Sequence, residues 1–285
     1  MTSTELQPPS VMLMGPPGSG KTDSIITLVE AGLETFVIST EPRGIESLID
    51  SAQRRKIPLD KLHWHTVMPT RPGFARMVQN AKLLATADQK TLANLPPSGG
   101  RTEAKWIELL NVCNDFVCQR TGKSYGDIEK FGPDKAVVLD SLSGLNIMSK
   151  DITVGDKLLM NQGEWQIAMN QITGFVQSMA GDLKCLFVMI AHVEPEQDAT
   201  TGATKIMAST LGKRLAPVLP RFFSDVILAE RLTTGETETF RWNNAAPGYD
   251  LKRRALPLGS NHQPTFRPVV EAFENRRKLI AASAA

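Results

Sequence analysis

The chain has 285 residues, 41% of them hydrophobic and 22% charged, with a formal net charge of +2. That length buries the core of one large α/β domain, and no apolar run approaches the roughly 20 residues that cross a bilayer, so no membrane partner is expected. So even a charge balance neither requires nor excludes nucleic acid, because a local basic surface can sit inside a balanced total.

Residues 1–10 are polar, carry a Pro-Pro pair and read as a flexible tail. They lack the basic and then apolar pattern of a secretory signal, which makes the cytoplasm the expected compartment. The run VMLM at 11–14 opens the first strand. Short apolar runs then alternate with helical patterns: TFVIS at 35–39, LHWHTV at 62–67, KAVVLD at 135–140, CLFVMIA at 185–191 and DVILAE at 225–230. Such alternation predicts a mostly parallel central sheet flanked by helices. The stretch 85–133 breaks the rhythm with the polar loop LPPSGG, a helical pattern over 103–117 and a second polar loop, and reads as an insertion.

Past Glu230 the segments TETFRWNN and GYDLKRR alternate around a turn at Pro247-Gly248, predicting an antiparallel hairpin at the sheet edge. A helix over about 268–281 ends the chain, giving a main domain over 11–266 and a terminal helix and tail over 267–285. Cys113, Cys118 and Cys185 form no CxxC pair and are expected as core thiols. His63 and His65 share one face of a strand, but no third ligand lies nearby in sequence, so they are expected as structural residues.

GPPGSGKT at 15–22 matches GxxxxGK[ST] at every fixed position, follows an apolar strand and precedes the helical segment SIITLVEAGL. The glycines Gly15, Gly18 and Gly20, with Pro16, Pro17 and Ser19 between them, let successive N–H groups turn toward phosphate oxygens. The following helix adds the positive end of its dipole. Lys21 is expected to reach the β- and γ-phosphates, and the Thr22 hydroxyl to ligate Mg²⁺, so ATP and Mg²⁺ are the expected cofactors. Asp140 closes AVVLD where a P-loop protein places its magnesium carboxylate. The next residue is Ser141, not an acid, so the catalytic base has to come from another strand. Glu41, just past the second strand and at the same sheet edge, is expected to supply it.

A P-loop on the first strand, a glutamate after the second, and AVVLD followed by SLSGL resemble the RecA family of DNA-dependent ATPases. Within it the sequence is most similar to small phage-encoded RecA-like ATPases of recombination and single-strand annealing. MIAHV at 189–193 resembles the strand whose polar end residue senses the γ-phosphate, a role the resemblance gives to His192. TLGKRLAPVLPRFFSDVILAE matches a further pattern of the phage group. GYDLKRR carries a K-x-R pair, Lys252 and Arg254, which in RecA-like oligomers reaches the ATP of the neighbouring subunit. The resemblance spans about residues 10–255 without 85–133, and there is no F-x-x-A element, which leaves the oligomeric form open.

The polar stretch 194–210 reads as a long loop after His192. In RecA-like proteins the loop there contacts single-stranded DNA, which makes Lys205, Lys213 and Arg214 the implied phosphate contacts. The resemblance thus implies an ATP-hydrolysing protein that acts on single-stranded DNA in recombination or annealing and assembles with itself as a ring or filament. Two alternatives are a ring helicase-type motor and a nucleotide-controlled assembly factor that binds protein and not DNA.

Overall fold

A strand buried on both faces needs a largely apolar run, and the runs expected as central strands are such; LHWHTV, broken by His63, His65 and Thr66, forms an edge strand buried only at its start. The computed structural model describes residues 6–70, 72–95, 104–155, 157–197, 202 and 204–283. Its central strands are β1 (Ser10–Met14), β2 (Glu34–Ser39), β3 (Leu62–Thr66), β4 (Lys135–Asp140), β5 (Leu186–Ala191), β8 (Asp225–Thr234) and β9 (Thr237–Asn243). They form a seven-stranded sheet in the order β3-β2-β4-β5-β1-β8-β9, parallel throughout except for β9. The fold is α/β, as the alternation predicts.

Period-two alternation sends side chains to opposite faces. Met12, Phe36, Ile38, Val137 and Leu139 pack on one side under α6 (Lys105–Asn114), α7 (Leu142–Val154) and α8 (Gln162–Gly181). Val11, Leu13, Val37 and Val138 pack on the other, under α2 (Ile26–Glu30), α3 (Gly44–Arg55) and α9 (Arg267–Ser283). The phosphate-loop sequence leads into a single short turn, α1 (Lys21–Ser24), before α2. Two further helices, α4 (Phe74–Thr86) and α5 (Gln89–Asn94), follow β3 at the sheet's edge. No helix among the described residues is long and apolar enough to cross a membrane.

Much of the stretch read as an insertion belongs to the core. Trp106, Leu109 and Val112 of α6 are buried, as are Phe116, Cys118, Ile128 and Phe131 beyond it. Phe36 of β2 organises the attachment, with ring centroids 4.5 Å from Phe131, 5.1 Å from Phe116 and 5.0 Å from Tyr125. His63 joins the same cluster, its Nε2 bonded to Glu34 at 3.1 Å and its Nδ1 to the Tyr125 hydroxyl at 3.1 Å, while His65 Nδ1 bonds the Val117 carbonyl. Cys118 and Cys185 are buried and Cys113 half-buried, all as free thiols. Most of the loop LPPSGG lies outside the described residues.

Two segments fold differently from expectation. The edge hairpin joins TETFRWN not to GYDLKRR but to β8, through a two-residue turn at Gly235-Glu236 with Gly235 at φ 62. A positive φ is what a tight hairpin turn needs at its first position, and glycine supplies it without steric cost. Among the described residues GYDLKRR makes only isolated pairings, Tyr249 with Ile206 and Lys252 with Val226. It is held by the buried Asp225 carboxylate, which accepts from Arg254 N at 2.7 Å and Ala255 N at 2.9 Å. The expected loop 194–210 instead contains an antiparallel pair, β6 (Val193–Gln197) and β7 (Thr204–Ala208); residues 198–201 and 203, toward its tip, lie outside the described residues.

Replacing a buried phenylalanine by alanine removes its transfer free energy and leaves a cavity. Phe36→Ala is therefore expected to lower unfolding stability by about 3–5 kcal/mol in denaturant titration. Amide exchange should accelerate over residues 115–131, which lose the ring they pack on.

Candidate nucleotide site

In a parallel sheet the strands finish at a common edge, where the groups just past their ends can meet a ligand instead of a neighbour. Ser39 pairs with Asp140, Asp140 with Ile190, and Ala191 with Met14, so β2, β4, β5 and β1 end within one residue of a common level. Gly15, Glu41, Asp140 and His192 follow or close those strands. Lys21, Thr22, Glu41, Asp140 and His192 line one cleft of ≈ 640 Å³, together with Pro17, Gly18, Ser19 and Gly20.

The loop from Gly15 to Thr22 is held in this shape by its glycines. A Cβ on Gly15 would stand 2.3 Å from the Ala229 carbonyl oxygen, a distance no side chain tolerates. Gly18 and Gly20 hold φ of 72 and 80, the left-handed region that glycine enters freely. Lys21 is buried, its ammonium donating to the carbonyls of Gly15 and Pro16, both at 2.8 Å, and to Ser19 Oγ at 3.4 Å. Burial pushes its pKa down to about 8, against the pull of Asp140 and Glu41. A phosphate at the loop would reverse that shift, since an anion favours the charged amine.

Thr22 donates its hydroxyl proton to Asp140 Oδ2 at 2.9 Å. Asp140 is buried, and desolvation with the neighbouring Glu41 charge raises its pKa to about 6. Among the described residues no group of three or more His, Cys, Asp or Glu is placed to hold a metal ion. Mg²⁺, however, is ordinarily bound through one or two carboxylates plus phosphate and water oxygens. Thr22 and Asp140 are a fitting hard-oxygen pair: a carboxylate made costly by burial gains most from a cation. Bound magnesium neutralises charge across the β- and γ-phosphates; Thr22 and Asp140 would hold it.

Glu41 is clamped on one oxygen. Its Oε1 accepts from the Ser141 hydroxyl and from His192 Nε2 at 3.2 Å. The His192 bond, with that of Ser141, holds the Glu41 carboxyl below its ordinary pKa, so it is ionised at neutral pH. His192 Nδ1 is buried and has no hydrogen-bond partner among the described residues.

The backbone under Glu41 is locked to the strand beside it. Thr40 N donates to the Asp140 carbonyl at 2.6 Å, and Thr40 Oγ1 accepts from Ser141 N at 2.8 Å. This contact requires Gly144, where a Cβ would come within 2.2 Å of Thr40 Oγ1. The sequence SLSGL, from the cap and first turn of α7, thus sets the position of Glu41.

Several cleft groups carried no local sequence signal. Phe240 comes from the edge hairpin, where β8 runs on past its last partner in β1, Met14, and carries β9 over the loop. A Cβ on Gly20 would lie 3.0 Å from the Phe240 ring, and one on Gly18 would lie 3.5 Å from the Arg231 guanidinium. Arg54 and Arg55 of α3 line the cleft and both pair with Asp23.

Other expected residues fall elsewhere. Lys252 pairs with Val226 near the amino end of β8, and its ammonium donates to the Phe223 carbonyl at 2.6 Å. Neither it nor Arg254 lines this chain's own cleft. Lys205 pairs with Asp250 at 2.7 Å and Lys213 with Glu196 at 3.4 Å, while Arg214 is exposed.

A carboxyl whose folded pKa is raised favours folding only at low pH. For Asp140 the penalty for ionisation begins above the unfolded value near 4 and is complete above about 6. Asp140→Asn keeps an acceptor for Thr22 and removes the charge. The nucleotide-free variant is therefore expected to melt higher than wild type at pH 7.5, with the gain shrinking as pH falls from 6 toward 4. A gain that does not change with pH would show that Asp140 is not ionised at a cost.

Neither protein-family models nor curated proteins match the sequence. Among solved structures, the flagellar accessory protein FlaH from Methanocaldococcus jannaschii is similar at 9% identity, over 82% of this chain and 76% of that one, with a TM-score of 0.36.

Proposed function

We propose that the chain is a P-loop ATPase that acts on single-stranded DNA in recombination or annealing. The observation that carries the ATPase reading is the convergence of Lys21, the Thr22–Asp140 pair and the Glu41–His192 pair on one cleft at the strand ends. In this reading the loop amides and Lys21 bind and orient the triphosphate. Glu41 accepts the proton of the attacking water, and His192 reports the γ-phosphate to β6, which begins at the next residue. Lys252 and Arg254, remote from their own cleft, would serve a neighbouring subunit's nucleotide, so that turnover depends on assembly.

The DNA part rests on the motif resemblance and on the position of the β6–β7 hairpin, directly after His192. One observation favours the assembly-factor reading instead. Lys205 and Lys213 are already paired with Asp250 and Glu196, and the hairpin arms VEPEQ and TKIMA bring carboxylates and no aromatic ring for base stacking.

Lys21→Ala is expected to abolish nucleotide binding without unfolding the chain. Glu41→Gln should still bind ATP in a filter or fluorescence assay while turnover falls by about two or more orders of magnitude. Wild-type turnover in Glu41→Gln would remove Glu41 as the base.

Binding of a fluorescent single-stranded oligonucleotide should tighten with ATP and weaken steeply as salt rises, because phosphate contacts release counterions. Absence of binding in every nucleotide state, with ATP turnover intact, would leave the assembly-factor reading.

A further inference from the structure

Helix α4 is turned inside out. An amphipathic helix ordinarily faces its apolar stripe toward the core. In α4 the half-buried positions are Arg76, Asn80 and Leu83, spaced so as to share one face. The opposite side carries Phe74, Met77, Val78 and Leu84, at 87%, 47%, 55% and 56% exposure. Those positions, with Ala81, follow i, i+3, i+4, i+7 and i+10, a continuous stripe. No residue of α4 is buried.

On the face of the sheet covered by α6 and α8 lies an apolar groove of ≈ 490 Å³, separate from the nucleotide cleft. Trp106, Leu110, Cys113, Phe175, Met179 and Leu183 form its walls and floor. Asp127 and Glu129 stand on its rim. The helix FARMVQNAKLLAT carries no acid; Arg76 lies on its inward face, and exposed Lys82 stands at the border of the stripe, a positive charge to set against the acids of the groove's rim.

We propose that α4 of one copy of this chain docks in the α6–α8 groove of a second copy. The groove offers the concave apolar surface that helix-in-groove recognition needs, and α4 offers anchors at helical spacing. Lys82, at the border of the stripe, meets the acidic rim and fixes the orientation. Helix and groove are different patches of one chain, so the contact is heterologous: it closes into a ring or runs on as a filament. The inference rests on shape and charge and not on nucleotide chemistry, so it stands or falls separately from ATP turnover.

The test uses the full chain. Val78→Cys and Leu110→Cys are made separately in a Cys113→Ser background, so that the groove's own thiol does not compete, and one is mass-labelled. On mixing, a short bismaleimide is expected to join the two variants to each other well above the level each gives alone. In parallel, Val78→Glu should weaken self-association roughly tenfold or more by light scattering, as loss of a central apolar anchor does. Lys82→Glu should weaken it as well, and mixing Lys82→Glu with Glu129→Lys chains should restore it, which a merely misfolded variant cannot do. In a third chain that carries Val78→Cys and Leu110→Cys together in the same background, cross-links confined within single chains would overturn the proposal in favour of intrachain packing. No mixed cross-link with a monomeric wild type at all concentrations would also overturn it.

Discussion

Parallel pairing with little stagger is the constraint on which the site depends. Because Ser39, Asp140, Ile190 and Leu13 lie in register across adjacent strands, residues far apart in sequence finish at nearly one level. A slip of one residue in any of these pairings would reverse that strand's faces and withdraw its end residue from the cleft. The apolar interiors on both sides of the sheet forbid the slip, since Met12 and Val11 belong to different cores. Packing far from the cleft therefore sets the geometry of its charged groups.

Within that frame the site is a set of groups each held by a neighbour rather than by solvent. Lys21 rests on two carbonyls, Asp140 on the Thr22 hydroxyl, and Glu41 on Ser141 and His192. Each charge is partly desolvated, which strengthens its action on an incoming phosphate and makes its own protonation responsive to that phosphate. Glu41 and Asp140 are kept in different protonation regimes by their partners: one is lowered by donors, the other raised by burial.

The central strands and the phosphate loop could be read from sequence because each has a local cause: a run buried on both faces, or glycines needed for a tight turn. Asp140 and Glu41 were readable because strand ends gather at one edge. The edge hairpin is present as expected, but its first strand is β8 and not GYDLKRR; the signal is Gly235 between two alternating runs, and DVILAE reads as complete at Glu230, whereas β8 continues to Thr234. Phe240 and Arg231 at the loop could not be found, because their place depends on how far β8 outruns β1. For α4 the apolar period is visible in FARMVQNAKLL, but a period does not say which face turns inward. The pairings of Lys205 and Lys213 are tertiary contacts with no trace in local pattern.

The overhanging hairpin has a kinetic meaning. Phe240 lies against Gly20 from β9, the outermost strand, which at that point pairs with β8 alone among the described residues. The loop is thus built on the rigid interior of the sheet but roofed by its least restrained strand. Local opening free energies fall toward such edges. The residence time of a molecule in the cleft would then follow the fraying of a two-stranded ribbon, and anything that clasped that ribbon would slow release without touching the bound molecule.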